Sequence, residues 1–219
     1  MRVCDWIANY LFDNGVTKIH GLMGGGSSGL NDGFIKHGKI NYICYHHEQG
    51  AGHAAIGESK FTGRVAVVNP TTGCAGTNCA TSVLNAWQDG VPVVFISGNV
   101  KLDACSAWIN KTKNVNIRKF GVQEHHIVDT YKHMTKMSKF VTSEYDVVRT
   151  IQEAFYVATE GRPGPVWIDI PSDIQTTMMP TGSLNFVPPK PPKIIFNPIS
   201  IKKSIEVSQR PIVLSLIHI

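Results

Sequence analysis

The sequence predicts an α/β fold: an open, mostly parallel sheet with helices on both faces, followed by the start of a second α/β domain. Three observations predict it. Short apolar runs at 64–68, 92–96 and 165–170 alternate with longer segments of helical spacing, the pattern of parallel strands covered on both sides. Glycines and small polar residues gather where strands end, which is where an open sheet takes its ligands. A proline-rich stretch near residue 190 then breaks the rhythm.

Each element has its own signal. Val3, Trp6, Ile7, Tyr10 and Leu11 fall at helical spacing within 3–14, and Gly15 stops that helix. Residues 18–23 read as a strand running into Gly24-Gly25-Gly26, with Ser27 as a cap for a helix reaching His37. An apolar strand at 40–45, with Cys44 as a small core residue, leads into a small-residue helix at 48–62. A buried strand at 64–68, a helix at 76–89 and a buried strand at 92–96 follow. Residues 101–135 show no clear period and are read as loops with short helices. A strand at 137–141, a helix at 144–160 capped by Ser143, and a strand at 165–170 complete the sheet.

Residues 1–176 are expected to form the first domain. Residues 177–198 contain Pro188-Pro189-Lys190-Pro191-Pro192-Lys193 and read as a semi-rigid linker. Residues 199–213 supply a helix (199–208) and, from Pro211, a strand, the truncated start of a middle domain. The last six residues, Leu214-Ser215-Leu216-Ile217-His218-Ile219, are one translation of the adaptor sequence CTGTCTCTTATACACATC. They are read as an adaptor artefact behind which the gene continues, against a genuine apolar tail.

Bulk properties exclude several function classes. The net charge of +5 comes from scattered basic residues, the densest being Lys111, Lys113, Arg118 and Lys119, so no nucleic-acid partner is expected. No apolar run reaches the ~18 residues that span a bilayer, and the first residues do not make a signal peptide. The five cysteines are odd in number and form no CxxC, which suggests neither a disulfide framework nor a zinc knuckle. A cytoplasmic setting is expected.

Three motifs carry candidate chemistry. Gly24-x-Gly26-x-x-Gly29 follows a strand and opens a helix, as a dinucleotide fingerprint does, and Glu48 follows at about the spacing of its ribose-binding acid. This supports a rival reading as an NAD-dependent oxidoreductase. The second motif is His46-His47-Glu48-Gln49-Gly50-Ala51-Gly52-His53. A zinc helix needs histidines four apart, whereas His47 and His53 point to different faces, so no metal site is expected. Glu48 lies where a strand meets a helix N-terminus, whose dipole favours a carboxylate while burial opposes one. Such a carboxyl can share a proton with a heterocycle nitrogen. The third motif, Thr71-Thr72-Gly73-Cys74-Ala75-Gly76-Thr77-Asn78, also follows a strand and opens a helix. It either cradles a ligand or turns the chain.

Taken in order, these segments resemble the pyrimidine-binding N-terminal domain of thiamine-diphosphate enzymes of the acetolactate-synthase class. The resemblance extends through Leu30-Asn31-Asp32, Ala86-Trp87-Gln88-Asp89, Ile96-Ser97-Gly98, Gln123-Glu124, Thr135-Lys136 and Gly161-Arg162-Pro163-Gly164-Pro165, and covers nearly all of residues 1–176. It implies that Glu48 is the catalytic residue, hydrogen-bonding N1′ of the cofactor's aminopyrimidine. Gly24, Gly25, Gly26, Thr72, Gly73, Thr77 and Asn78 would bind the cofactor, and Gly26, Val122 and Gln123 would line the substrate pocket. The implied reaction decarboxylates a 2-keto acid such as pyruvate and passes the two-carbon unit to a carbonyl acceptor. The resemblance also implies Mg2+ held by a C-terminal domain, FAD in some members, and a site completed by a partner subunit in a homodimer or tetramer.

The sequence departs from that family at Val122, where a Phe is usual, at Cys74, where a Pro is usual, and at Leu22-Met23, where Tyr-Pro is usual. These changes put the acceptor substrate in doubt. A third reading is a stand-alone, non-catalytic domain that pairs with a separate chain.

Overall fold

The computed structural model describes residues 1–182, 184–190 and 198–212. The chain divides into two compact units, Met1–Phe186 and Val187–Ile219. The first holds a six-stranded sheet in the order β2-β1-β3-β4-β6-β5. Its strands are β1 (Lys18–Gly21), β2 (Asn41–Cys44), β3 (Ala66–Asn69), β4 (Val93–Asn99), β5 (Met137–Phe140) and β6 (Val166–Pro171). Every pairing within it is parallel.

The central strands alternate their side chains between two cores, as the period of two demands. Val67, Val94, Ile96, Val166, Ile168 and Ile170 point to one face. There they meet Ile7 and Leu11 of α1 (Val3–Asp13), Leu30 and Phe34 of α2 (Ser28–His37), and Ile151 and Ala154 of α8 (Val147–Thr159). Val68, Val93, Phe95 and Trp167 point to the other. They meet Ala51 and Ile56 of α3 (Glu48–Thr62), Val83 and Ala86 of α5 (Ala80–Asp89), and Ile127 and Tyr131 of α7 (Ile127–Tyr131). Trp167 stacks on both Phe95 and Tyr131. This double burial explains why β3, β4 and β6 read as nearly unbroken apolar runs.

Several expectations change. Cys44 is exposed, because β2 is the edge strand. Ser27 precedes α2 but makes no side-chain cap; its hydroxyl turns back to the Gly24 carbonyl. The helix expected at 76–89 is two pieces, α4 (Cys74–Thr77) and α5. The Gly76 carbonyl accepts from the Tyr131 hydroxyl at 2.5 Å as well as from Cys79 N–H, which diverts the helical ladder at that point. The unassigned stretch after β4 contains α6 (Ser106–Lys113), whose buried residues are Ser106 and Ile109, too few to print a period. Ser143 caps a 3-10 turn, Glu144–Asp146, and α8 follows it.

After β6 comes α9 (Ser172–Thr176). The chain then returns to its own beginning: Arg2 and Met178 form an antiparallel bridge, and Met179 N–H donates to the Met1 carbonyl. Packing carries the unit on to Phe186, whose N–H donates to Gln152 and whose ring meets Tyr156. In the second unit the described element is α10 (Pro198–Val207). The strand expected from Pro211 does not form at Pro211 or Ile212, and its remainder, like residues 214–219, lies outside the described residues.

Candidate functional site

The strand order creates one crevice. From β1 the chain moves to β2 on one side, and from β2 it crosses to β3 on the other side of β1. The carboxyl ends of β1 and β3 therefore diverge at a topological switch point, the place where open α/β sheets bind ligands. The Gly24–Gly26 loop leaves β1 there and the Thr71–Gly73 loop follows β3 there.

The two loops touch without side chains on the β1 side. A Cβ on Gly24 would lie 2.7 Å from the Thr71 hydroxyl, and one on Gly26 would overlap the Thr72 hydroxyl. Among the described residues Gly25 meets nothing within 4 Å, so no packing partner there demands a glycine. The Thr71 and Thr72 hydroxyls are buried and make no hydrogen bond among the described residues. Buried polar atoms normally find partners. Two orphan hydroxyls against a glycine loop fit a polar ligand in the crevice.

Glu48 is the first residue of α3 and is 8% exposed. His47 caps the helix by accepting from Gln49 N–H at 3.2 Å. One Glu48 carboxylate oxygen accepts from Asn78 Nδ2 at 2.9 Å. Asn78 follows α4, so the third motif reaches the second through this bond. Thr77 is turned the other way, its hydroxyl donating to the Cys74 carbonyl at 2.9 Å.

Gln123 joins the same rim by its backbone. It adopts φ +59, a left-handed conformation that is uncommon for a residue with a side chain and is often functional when found. Its carbonyl packs against Gly73, itself at φ +56, where a Cβ would collide with it. Val122 beside it is 79% exposed. The structure thus links Gly24 and Gly26 to Thr71 and Thr72, Gly73 to Gln123, and Asn78 to Glu48, all around the carboxyl ends of β1 and β3.

Three contributors were not among the expected site residues. A Cβ on Gly98, in β4, would overlap the Gly26 carbonyl. Gln175 of α9 donates to that carbonyl at 2.7 Å. Asn99 donates to Asp169 at 2.7 Å and to the His125 carbonyl at 3.4 Å, bracing the segment behind Gln123. A glycine ending a buried strand is a usable sequence signal for Gly98. Gln175 and Asn99 act on residues remote in sequence and leave no local pattern.

The residues present suit an aminopyrimidine: a carboxyl for a ring nitrogen, orphan hydroxyls, and a loop stripped of side chains. Residues 1–132 match the family model described as "Thiamine pyrophosphate enzyme, N-terminal TPP binding domain". This chain belongs to that family of thiamine pyrophosphate enzymes. It is 34% identical over 192 residues to the acetolactate synthase large subunit of Corynebacterium glutamicum, covering 87% of this chain and 28% of that protein. The acetolactate synthase isozyme 3 large subunit of Escherichia coli is 32% identical over 186 residues, covering 85% of this chain and 30% of that protein. The mitochondrial acetolactate synthase catalytic subunit of Saccharomyces cerevisiae is 33% identical over 180 residues, covering 78% and 24% respectively. The chain therefore spans less than a third of the length of these relatives.

Family membership and topology together overturn the NAD-dependent reading. The dinucleotide fold has the order 3-2-1-4-5-6, in which β1 neighbours β4. Here β1 neighbours β3. Gly29, the third glycine of the apparent fingerprint, admits Gln175, whose Cβ lies 2.8 Å from where a Gly29 Cβ would stand.

Proposed function

We propose that this domain is the pyrimidine-binding part of an acetolactate-synthase-like carboligase that acts on a 2-keto acid such as pyruvate. The single observation that carries the reading is the Glu48 carboxyl, nearly buried at the switch point and steadied by Asn78.

When bound, thiamine diphosphate supplies the carbon acid and electron sink that let a 2-keto acid lose CO₂ and pass on its two-carbon unit. Glu48 holds or yields a proton at the pyrimidine N1′, as a positioned carboxyl does in general acid–base catalysis. Asn78 orients that carboxyl and leaves its second oxygen for the ring. Thr72 and Gly73 would help hold the pyrimidine, with Thr77 stiffening the turn between them and Asn78. Gly24, Gly25 and Gly26 keep side chains out of the space beside it. Gln123 offers its amide to the substrate, and Val122 sets the size of the acceptor pocket.

Magnesium at the diphosphate, and FAD where one is used, would be held outside residues 1–219. A partner subunit of a homodimer or tetramer completes the site. Within the chain we read residues 1–176 as carrying the function and 177–198 as leading to the next domain, the part up to Phe186 still packed on the first unit.

Replacing Glu48 with Gln in the full-length protein is expected to leave the fold intact and lower pyruvate turnover by ~10²- to 10⁴-fold. Far-UV circular dichroism and single-turnover CO₂ release measure the two effects. Turnover equal to wild type in a folded variant sinks the assignment.

A further inference from the structure

Gly24–Gly26 has little of its own to hold its shape beyond one 3-10 turn, Gly25–Ser27, in which Ser27 N–H donates to the Gly24 carbonyl at 3.1 Å. It has no side chains to pack, and glycine has more backbone freedom to lose than any other residue. That turn occupies the Gly24 and Gly25 carbonyls, and the direction of the Gly26 carbonyl is left to what surrounds it.

We propose that Gln175 is a positioning residue that fixes the Gly26 peptide and thereby the wall of the pocket, an inference that rests on the function proposed above. Gln175 is fully buried. Its amide nitrogen donates to the Gly26 carbonyl at 2.7 Å and to the Ile170 carbonyl at 2.7 Å. Its amide oxygen accepts from Leu30 N–H at 3.2 Å, one of the unpaired donors in the first turn of α2. One side chain thus grips the loop, the helix that the loop opens and the strand behind it. The bond to Ile170, at the end of its own strand, would be enough to seat Gln175 itself; the bonds to Gly26 and Leu30 serve the loop.

Two other contacts make this grip directional. Gly98 lets the Gly26 carbonyl settle on β4, since a Cβ there would overlap that carbonyl and lie 2.5 Å from the Ser27 Cα. Thr72 closes the side toward β3. The Gly26 peptide is therefore seated below by Gly98, flanked by Thr72 and aimed by Gln175.

The test uses Gln175→Leu, Gln175→Glu and Gly98→Ala in the full-length protein. Hydrogen–deuterium exchange without cofactor reads the loop directly. Losing the grip should speed exchange across residues 24–30 by about tenfold, the value of one hydrogen bond, and leave α5 unchanged. With cofactor, KM for pyruvate should rise about tenfold, while kcat falls less. Gln175→Glu should behave like Gln175→Leu where its carboxyl is ionised and recover in part as pH falls, when the protonated carboxyl can again donate to one of the two carbonyls. That recovery keeps the proposal testable if Gln175→Leu does not fold, and Gly98→Ala should show the same exchange signature. Unchanged exchange across 24–30 in a folded variant overturns the inference, as does a Gln175→Glu variant that gains nothing at any pH as its carboxyl is protonated. Turnover retained by Glu48→Gln overturns the proposed function instead, and leaves the exchange result to decide the role of Gln175.

Discussion

Asp169 is the most deeply buried acid in the first unit. It sits in β6 with its carboxylate oxygens accepting from Ser97 at 2.6 Å and Asn99 at 2.7 Å, and Ser97 in turn accepts from the Trp167 indole at 2.9 Å. Burial pushes its carboxyl up to about 6, the two hydrogen bonds pull the other way, and nearby Glu124 adds to the rise. The folded state therefore holds this proton more tightly than the unfolded chain. Its stabilising effect is whole below the ordinary carboxylate range and is lost as pH rises through about 6. Between pH 4 and pH 7 the wild type should lose about 2 kcal/mol relative to Asp169→Asn, which cannot ionise. Urea unfolding of both proteins across that range measures the difference, and parallel profiles count against the argument. At this scale the sequence announced Glu48 and the glycines, because a strand end meeting a helix start is a local pattern. The bonds from Asn78 to Glu48 and from Gln175 to Gly26 were not legible, since each joins residues that only folding brings together.

Helix ends are held by cations that come from loops. Lys136 donates to the Glu160 carbonyl, which closes α8. Arg162 donates to the Gln88 carbonyl in the last turn of α5 at 2.7 Å. Free carbonyls and the negative end of the helix dipole both favour such a partner. Partial burial lowers the Lys136 ammonium below its usual range, and the negative charge of Glu160 opposes that shift. Gly164 makes room for it, its missing Cβ lying 3.1 Å from the lysine stem. Lys136→Met should cost about 0.5–1 kcal/mol and fray the end of α8, seen as faster amide exchange at 156–160 with α1 unaffected. Equal protection in both proteins would discount the cap. The buried strands were legible because double burial writes an apolar run. The break between α4 and α5 was not, because it comes from the Tyr131 hydroxyl taking a carbonyl 55 residues away. Cys44 was misplaced because an apolar run at a sheet edge looks like one at its centre.

The order of the strands, unlike their existence, has no periodic signature. An NAD-binding sheet and this one begin with the same glycine-rich turn and separate only when β3 chooses its side of β1. The class of fold was thus readable from alternation alone, while the choice of site chemistry depended on the ordered set of motifs. The extent of the first unit was also invisible. Beyond residue 176, Thr177 accepts from Val3 N–H at 2.9 Å, Met178 bridges Arg2, and Asn185 and Phe186 bind Gln152. A chain ending at residue 176 should be less stable than one ending at 186 by about 1–3 kcal/mol, the range of losing several buried contacts. Thermal melts of the two chains compare them, and equal midpoints would set the boundary at 176. The same return of the chain to its start bears on timing. α1 and the glycine loop leave the ribosome well before Gln175 and the segment that pairs with Met1 and Arg2. A nascent chain can collect its helices and inner strands while synthesis proceeds, yet the mouth of the crevice stays unset until both ends of the unit are in solution together. Until that return segment has emerged, the polypeptide has the residues of the crevice and no crevice.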